Sequence, residues 1–245
     1  MTRALFIHAS TEVRDKYEAA LGCPVTFLNR GSFSAAYSEN GGLASEFPTL
    51  GHAVRRYMPD LPESEPVILL AFSAGCWTAR SWLRDVESRA RCAAVLLIDG
   101  LHSSSETTLA GVIDYAIEAC EGRKTLVLTH SQIRTDLLEQ PYHSTRQTAD
   151  LVIHSVGLAR SNYSNSVHQN GFHVLAGDGG DKAAHSRQLM QVGPDACRAY
   201  VRTVRDTDRA PMRWSSQTMP SVQITDELRE QLIQDRDRAI RDRSS

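Results

Sequence analysis

A serine between small residues is the residue type and spacing with the clearest chemical potential in this chain. Ser73 lies in Ala71-Phe72-Ser73-Ala74-Gly75, directly after the apolar run Val67-Ile68-Leu69-Leu70 and before a stretch with helical periodicity. Small residues two positions to either side let the backbone turn sharply, so that the hydroxyl projects from the end of a strand. The N–H groups of the following helix point at the same place. The segment predicts a nucleophile beside an anion-stabilising environment. The alternative is a tight turn that happens to carry serine.

A serine nucleophile needs a base to take its proton, and a histidine base needs a carboxylate to orient it. Ligands of an open parallel sheet bind outside the carboxyl ends of its strands, so these groups should follow predicted strands. The segments that do so are His8-Ala9-Ser10, Asp99-Gly100-Leu101-His102, His130-Ser131-Gln132, and residues 177–181 followed by His185. We therefore predict Ser73 as nucleophile, Asp99 as acid and His185 as base, with Asp136 as the alternative acid.

This arrangement resembles the α/β-hydrolase superfamily of serine hydrolases. The resemblance covers residues 1 to 204 and rests on the segment around Ser73, an acid after a later strand and a histidine after the last strand. Two departures are Ala71, where glycine is usual, and an acid one strand earlier than in many members. We prefer Asp99 to Asp136 because Asp99 ends its strand directly and is followed by Gly100. The resemblance implies a hydrolase of esters, amides or thioesters that works through an acyl-enzyme, without cofactor or metal.

An oxyanion hole requires two N–H donors aimed at the oxygen that becomes negative. The residue after the nucleophile, Ala74, supplies one by geometry. The resemblance implies that the second comes from the loop after an early strand, which here means Ala9 or Ser10. His8 is a further candidate substrate contact at a strand end. Three others are candidate substrate contacts or, alternatively, groups bonded to the loop backbone: His102, His130 and Ser131.

The elements that must position these groups alternate along the chain. Strands are predicted at residues 5–8, 24–28, 67–72, 93–98, 125–129 and 172–176. Helices are predicted at residues 11–21, 50–58, 76–86, 107–119, 144–158 and 185–204, and residues 30–47 are predicted to form an irregular loop. Strands and helices in this order predict an α/β fold with a mostly parallel sheet and helices on both faces, a three-layer sandwich.

The last part of the chain, residues 205–245, differs in composition from the catalytic domain predicted for residues 1–204. Residues 206–224 are rich in Asp, Arg, Pro and Ser and predict a linker. Residues 225–243 are highly charged with a thin apolar stripe, which predicts a helix capped by Thr225. An exposed helix with ion pairs is one interpretation, and a docking helix that assembles a homo-oligomer is the other.

Composition excludes several other classes of function. The chain has 245 residues and a formal net charge of -2, which favours neither nucleic-acid binding nor attachment to an anionic membrane. No apolar stretch approaches the ~20 residues of a membrane span, and no secretory signal is apparent. The five cysteines show no Cys-x-x-Cys spacing and predict reduced thiols in a cytoplasmic protein. The expected partner is a small-molecule or polymer-end acyl substrate.

Two functions from other classes compete with the serine hydrolase. A metal-assisted hydrolase would use the histidines and carboxylates at the strand ends, but no established metal-binding spacing occurs among them. Its candidate ligands are His8, His102, His130, Asp99 and Asp178. A non-catalytic protein of the same fold would act through its C-terminal helix as a binding or assembly module.

Overall fold

The computed structural model describes residues 2–31, 34–37, 42–103, 105–133, 143–160 and 166–201. Asp136, the alternative acid, lies outside these residues. So do the predicted linker and the charged helix within residues 205–245. The domain boundary at residue 204 and assembly through the C-terminal helix therefore stay predictions.

Seven strands form one sheet within the described residues: β1 (Arg3–Ile7), β2 (Val25–Leu28), β3 (Val67–Phe72), β4 (Cys92–Ile98), β5 (Thr125–His130), β6 (Val167–Gln169) and β7 (Phe172–Ala176). Their order across the sheet is β2-β1-β3-β4-β5-β7-β6. All neighbouring pairs are parallel except β6 and β7, which are antiparallel. The carboxyl ends of β1, β3, β4, β5 and β7 therefore meet at one edge of the sheet.

The α-helices of the described residues are α1 (Arg14–Leu21), α2 (Gly42–Glu46), α3 (Leu50–Tyr57), α4 (Gly75–Trp82), α5 (Val86–Arg91), α6 (Glu106–Cys120), α7 (Thr145–Ser155), α8 (Lys182–Arg187) and α9 (Gly193–Ala196). Gly22 ends α1 in the left-handed conformation, and a capping box between Ser144 and Gln147 begins α7. Across the described ranges, none of the helices has the length and apolar character that crossing a bilayer requires.

Alternate side chains of the central strands pack into two separate hydrophobic cores, one on each face of the sheet. Leu5 and Leu69 lie in the core formed with α3, α4, α6 and α7. Phe6 and Leu70, the next residues of the same strands, lie in the core formed with α1 and α9. Side chains of a strand alternate between faces, so this division requires helices on both sides. The predicted fold class is confirmed.

The structure differs from the sequence prediction at three elements. It adds β6, which joins β7 through the turn at Asn170, a residue in the left-handed conformation, with φ of 49°. The Asn170-Gly171 dipeptide is a strong hairpin signal that the prediction overlooked. The helix predicted at residues 76–86 ends at Trp82, and α5 begins separately because Asp85 accepts a hydrogen bond from Ser88 N at its start.

The last helical region also departs from a regular α-helix. It begins at Lys182 and alternates between α-helix and π-helix as far as Val201, with π segments at Gln188–Val192 and Cys197–Val201. Residues 30–47, predicted as an irregular loop, contain the 3-10 turn Ser34–Tyr37 and α2. The π segments are often found near functional sites, and the first of them directly follows the helix that carries His185.

Candidate active site

Three adjacent strand ends carry a residue in the left-handed backbone conformation. These are His8 after β1, Ser73 after β3 and Asp99 after β4, with φ values of 60°, 50° and 40°. Non-glycine residues seldom adopt this conformation, and such residues are enriched at functional sites. The backbone therefore turns sharply at all three positions, with Ser73 in the middle strand of the three.

Close backbone packing fixes the turn at Ser73. Ser73 N donates a hydrogen bond to Ile98 O of β4 at 3.0 Å. A Cβ atom at Gly100 would lie 1.9 Å from Ser73 O, and one at Gly75 would lie 2.7 Å from Ile7 O. Only glycine fits at either position. The requirement for a small residue after the serine therefore reflects the contact with β1, and Gly100 meets a second requirement on the β4 side.

Asp99 is buried and accepts hydrogen bonds on both carboxylate oxygens. Oδ2 lies 2.7 Å from His185 Nδ1. Oδ1 accepts from Ser131 N at 2.7 Å, Ser131 Oγ at 3.0 Å and Thr145 Oγ1 at 2.7 Å. Burial opposes ionisation, but the hydrogen bonds from His185, Ser131 and Thr145 outweigh it and lower the pKa of Asp99. The site therefore holds a carboxylate, the form that orients a histidine.

His185 lies on α8, whose start is capped by Asp181 through a 2.7 Å hydrogen bond from Ala184 N. A carboxylate only accepts hydrogen bonds, so His185 Nδ1 donates to Asp99 and Nε2 is left to accept a proton. The imidazole stacks on the ring of Phe72, with 4.6 Å between the ring centroids. Phe72 directly precedes Ser73, so this stacking places His185 beside the turn at Ser73.

A chain of polar contacts leads from Arg160 through His130 and Ser131 to Asp99. His130 is fully buried, with Nε2 3.0 Å from Arg160 Nη2 and Nδ1 3.0 Å from Ser131 O. A guanidinium only donates, so Nε2 accepts and Nδ1 carries the proton that is donated to Ser131 O. Arg160 in turn forms an ion pair with Asp150. Burial lowers the pKa of His130, which keeps this imidazole neutral.

The structure separates the four candidate substrate contacts into two groups. His130 and Ser131 point into the protein and support Asp99, so we assign them to that role rather than to substrate. His102 is partly buried, and its Nδ1 lies 3.0 Å from His143 O. This contact agrees with the alternative prediction, in which His102 bonds to backbone rather than to substrate. Burial lowers the pKa of His102.

His8 stays a candidate substrate contact. Its ring lies 4.4 Å from the ring of Tyr37 and nearly parallel to that of Phe72, at 6.2 Å. Burial lowers the pKa of His8, and the nearby charge of His185 adds to this effect. A neutral imidazole therefore lies on the β1 side of the site, opposite Asp99.

The three candidate oxyanion donors have N–H groups with no acceptor among the described residues: Ala74, Ala9 and Ser10. An N–H group must be unpaired in this way before it can stabilise a developing negative charge. The side chain of Ser10 has another use, because its Oγ accepts a hydrogen bond from Glu12 N at 3.2 Å. The choice between Ala9 and Ser10 as second donor stays open.

Among the described residues, neither a cysteine nucleophile nor a metal site with three or more protein ligands finds support. No group of three or more His, Cys, Asp or Glu side chains within those ranges is placed to hold a metal ion. All five cysteines are buried with free thiols. Burial raises the pKa of Cys92 to about 12, and the pKa of Cys76 on α4 rises as well. These thiols are un-ionised at neutral pH and are poor nucleophiles.

Sequence reasoning missed two functional neighbours, Thr145 and Arg160. Thr145 begins α7 and reaches Asp99 across 46 positions of sequence. The capping box in this segment predicts a helix start, but nothing local indicates which strand end that start will contact. Arg160 reaches His130 across 30 positions and carries no motif. Only the packing of α7 and the segment after it against β4 and β5 brings these residues to the site.

Comparison with known proteins identifies solved structures but no family. No protein-family model and no curated protein matches the chain. Two solved structures of YbtT, a type II thioesterase from the yersiniabactin NRPS/PKS biosynthetic pathway, are similar to it. The point variant shares 14% identity over 83% of this chain and 90% of that chain, with a TM-score of 0.41. The other shares 14% identity over 82% and 92%, also with a TM-score of 0.41.

Proposed function

We propose that this protein is a serine hydrolase that cleaves an ester, thioester or amide bond through an acyl-enzyme. The hydrogen bond between buried Asp99 and His185 Nδ1, next to the strained turn at Ser73, carries this proposal. An acid, a base and a serine that meet at one sheet edge are the parts that acyl transfer requires.

In the first half-reaction, Ser73 Oγ attacks the carbonyl carbon while His185 Nε2 takes the hydroxyl proton. The carbonyl oxygen becomes negative and is stabilised by the N–H of Ala74 together with that of Ala9 or Ser10. The tetrahedral intermediate collapses, and His185 returns the proton to the leaving alcohol, thiol or amine. The acyl group is then bound to Ser73 as an ester.

In the second half-reaction, water attacks the acyl-enzyme. His185 takes a proton from the water, and the carboxylic acid leaves as Ser73 Oγ regains its proton. Asp99 stays ionised throughout, holding Nδ1–H and stabilising the imidazolium that forms twice in each cycle. The lowered pKa of Asp99 suits this role because the carboxylate must not take the proton itself.

A fluorophosphonate probe tests the nucleophile directly, because it forms a covalent bond only with an activated serine. We expect one equivalent of label on the wild type and none on Ser73→Ala, detected by intact-protein mass spectrometry. Turnover of activated esters and acyl thioesters should fall by up to about 10⁶-fold in kcat in the variant. Peptide mapping should place the label on Ser73.

Ser155→Ala is a matched control, because Ser155 lies on α7 and its hydroxyl bonds to Leu151 O of the same helix at 2.7 Å. The Ser155→Ala variant should react with the fluorophosphonate probe and hydrolyse substrates at the wild-type rates. A folded wild-type protein that stays unlabelled at probe saturation would overturn the proposal and favour a non-catalytic binding protein. Loss of turnover on treatment with a chelator, with labelling unaffected, would favour the metal-assisted alternative.

A further inference from the structure

Two histidines face each other across the hairpin at the edge of the sheet. His168 of β6 and His173 of β7 are direct partners in the antiparallel register. Side chains of such partners lie on the same face of the sheet. Their Nδ1 atoms are 3.1 Å apart, and their ring centroids are 5.4 Å apart. At this distance the two imidazoles form a hydrogen bond, in which Nδ1–H of one ring donates to Nδ1 of the other.

Tyr200 holds both imidazoles in this arrangement. Its ring centroid lies 4.0 Å from that of His173 and 5.5 Å from that of His168, with interplanar angles of 27° to both. Tyr200 belongs to the helical segment Cys197–Val201, so the stack ties the hairpin to the last helix. A ring packed on both imidazoles limits their rotation before any ligand binds, which lowers the entropic cost of binding.

Both imidazoles are in the form that coordinates metal ions. Burial lowers the pKa of His168, and burial together with the neighbouring His168 lowers the pKa of His173 to about 4. Neutral imidazole is a common ligand of zinc, copper and nickel, whereas imidazolium is not a ligand. Neither ring has to lose a positive charge, and the ring that donates in the hydrogen bond binds through Nδ1 once its proton has moved to Nε2.

The spacing of the two nitrogens matches a chelate. Two nitrogens bound at about 2.0–2.1 Å lie about 2.9 Å apart across a right angle and about 3.3 Å apart across a tetrahedral angle. The observed 3.1 Å between His168 Nδ1 and His173 Nδ1 falls between these values. We propose that His168 and His173 bind one divalent transition-metal ion through their Nδ1 atoms, with water in the remaining positions.

This site differs in kind from the metal-assisted alternative for catalysis. It uses two ligands at the sheet edge and none of Ser73, Asp99 or His185. Two protein ligands supply half of a tetrahedral set, so the ion should exchange readily and should act as a cross-link between β6 and β7. Affinity should follow the usual order for nitrogen sites, with Cu²⁺ bound more tightly than Ni²⁺ or Zn²⁺.

Titration of the full-length, chelator-treated protein with Cu²⁺ and with Zn²⁺ tests the proposal. The wild type should bind one Cu²⁺ with an affinity at least tenfold above that of His168→Ala and of His173→Ala. Its melting temperature should rise by a few degrees at saturation, and those of the variants should not. His154→Ala removes an exposed histidine of α7 and serves as the control, which should match the wild type.

Electron paramagnetic resonance of the one-to-one Cu²⁺ complex keeps the test decisive if a variant folds poorly. The wild-type spectrum should report two equatorial imidazole nitrogens, and the spectrum of His168→Ala should report one. Equal binding by the wild type and both hairpin variants would overturn the proposal. A wild-type spectrum with no pair of imidazole nitrogens would overturn it as well.

Discussion

Ser73 and Asp99 follow neighbouring strands of the sheet, but the protein holds them in place by different means. The turn at Ser73 is set by backbone packing against β1 and β4, where a Cβ atom at Gly75 or Gly100 would overlap its neighbours. Asp99 is set by four hydrogen bonds to its carboxylate from His185, Ser131 and Thr145. The position of Ser73 therefore depends on close backbone packing, and that of Asp99 depends on its charge and its hydrogen-bond donors.

The surroundings of Ser73 (the serine side) and those of Asp99 (the acid side) should therefore tolerate different substitutions. On the serine side, any added atom must push a backbone segment of another strand, since proteins are packed nearly as densely as crystals. On the acid side, atoms can be exchanged at constant volume, and the cost arises from a hydrogen bond that is lost or reversed. Substitutions of matched size distinguish the two sides experimentally.

Among the substitutions that compare these two sides, Asp99→Asn should have the largest effect on activity while leaving the fold intact. Three donors on Oδ1 hold the amide oxygen at that position, so the amide NH₂ must face His185 Nδ1. Nδ1 then has to accept, and the proton moves to Nε2, where it blocks the base. We expect kcat to fall by about 10⁴-fold with little change in melting temperature.

Asp178→Asn is the control for this experiment, because Asp178 is exposed after β7 and belongs only to the metal-assisted alternative. Its activity should match the wild type. If Asp99→Asn kept more than a tenth of the wild-type kcat, the acid would have to be sought elsewhere, and Asp136 would be the next residue to substitute.

Gly100→Ala should disrupt the turn at Ser73 solely through the volume of the added methyl group. The new methyl group would lie 1.9 Å from Ser73 O, so the turn must move. We expect unfolding free energy to fall by about 1–3 kcal/mol and fluorophosphonate labelling to slow by at least tenfold. Gly51→Ala is the matched control, since its methyl group would meet no atom closer than 3.6 Å. Equal labelling rates for Gly100→Ala and Gly51→Ala would contradict the role of packing.

Thr145→Val should weaken the acid side at nearly constant volume. It removes the 2.7 Å hydrogen bond to Asp99 Oδ1, and Thr145→Ser retains it. A hydrogen bond to a charged group contributes about 1.5–3 kcal/mol, so urea unfolding at pH 7 should show a loss of that size in the valine variant only.

The pH dependence of the unfolding free energy lost in Thr145→Val identifies the cause of that loss. Folding lowers the pKa of Asp99, so the carboxylate stabilises the protein above its unfolded value of about 3.9 and loses this contribution as pH falls through the lowered pKa. The difference between the wild type and Thr145→Val should shrink over that range. A difference that is constant with pH would indicate a packing defect instead.

The sequence predicted the fold and the strand-end groups because both leave local signals. Apolar runs of four to seven residues, each followed by a helical period, fix the parallel sheet, and the residues after each run must then meet at one edge. That ground placed Asp99 and His185 at one edge while leaving Asp136 as the alternative acid, and the structure brings Asp99 and His185 into contact. The small hairpin was missed because its signal lies in the Asn170-Gly171 turn, while the three-residue strand β6 is too short to show a period.

The partners of Asp99 could not be read in the same way. Ser131 follows a strand, and the sequence left open whether it contacts substrate or bonds to the loop backbone, because a sequence shows which edge a residue reaches but not the direction of its side chain. Thr145 reaches the site from the first position of α7, and Arg160 reaches it from the segment that follows α7. Their positions depend on how α7 packs on the sheet, which is a tertiary property with no local pattern.

The smallest expected effect is the pH dependence of stability that arises from His130, which belongs to the polar contacts behind Ser131 and Asp99 and has no counterpart in the backbone contacts around Ser73. Burial, with a contribution from Arg160, lowers its pKa against the opposing effects of the Ser131 carbonyl, Asp150 and Asp99. The unfolded chain therefore binds more protons at this residue below pH 6.5. As pH falls from that value towards the lowered pKa, the folded state loses stability by at most about 1.4 kcal/mol per pH unit.

His130→Gln removes this titration and keeps a side chain that can accept from Arg160. Urea unfolding between pH 7.5 and pH 5 should therefore give a shallower loss of stability in the variant than in the wild type. His8 and His102, whose pKa values are also lowered, are present in both proteins and cancel in the comparison. Identical slopes would mean that His130 is protonated in the folded state, and Arg160 could not then donate to it. Acid should therefore weaken the polar support of Asp99, whereas the backbone contacts made at Gly75 and Gly100, which fix the turn at Ser73, do not titrate.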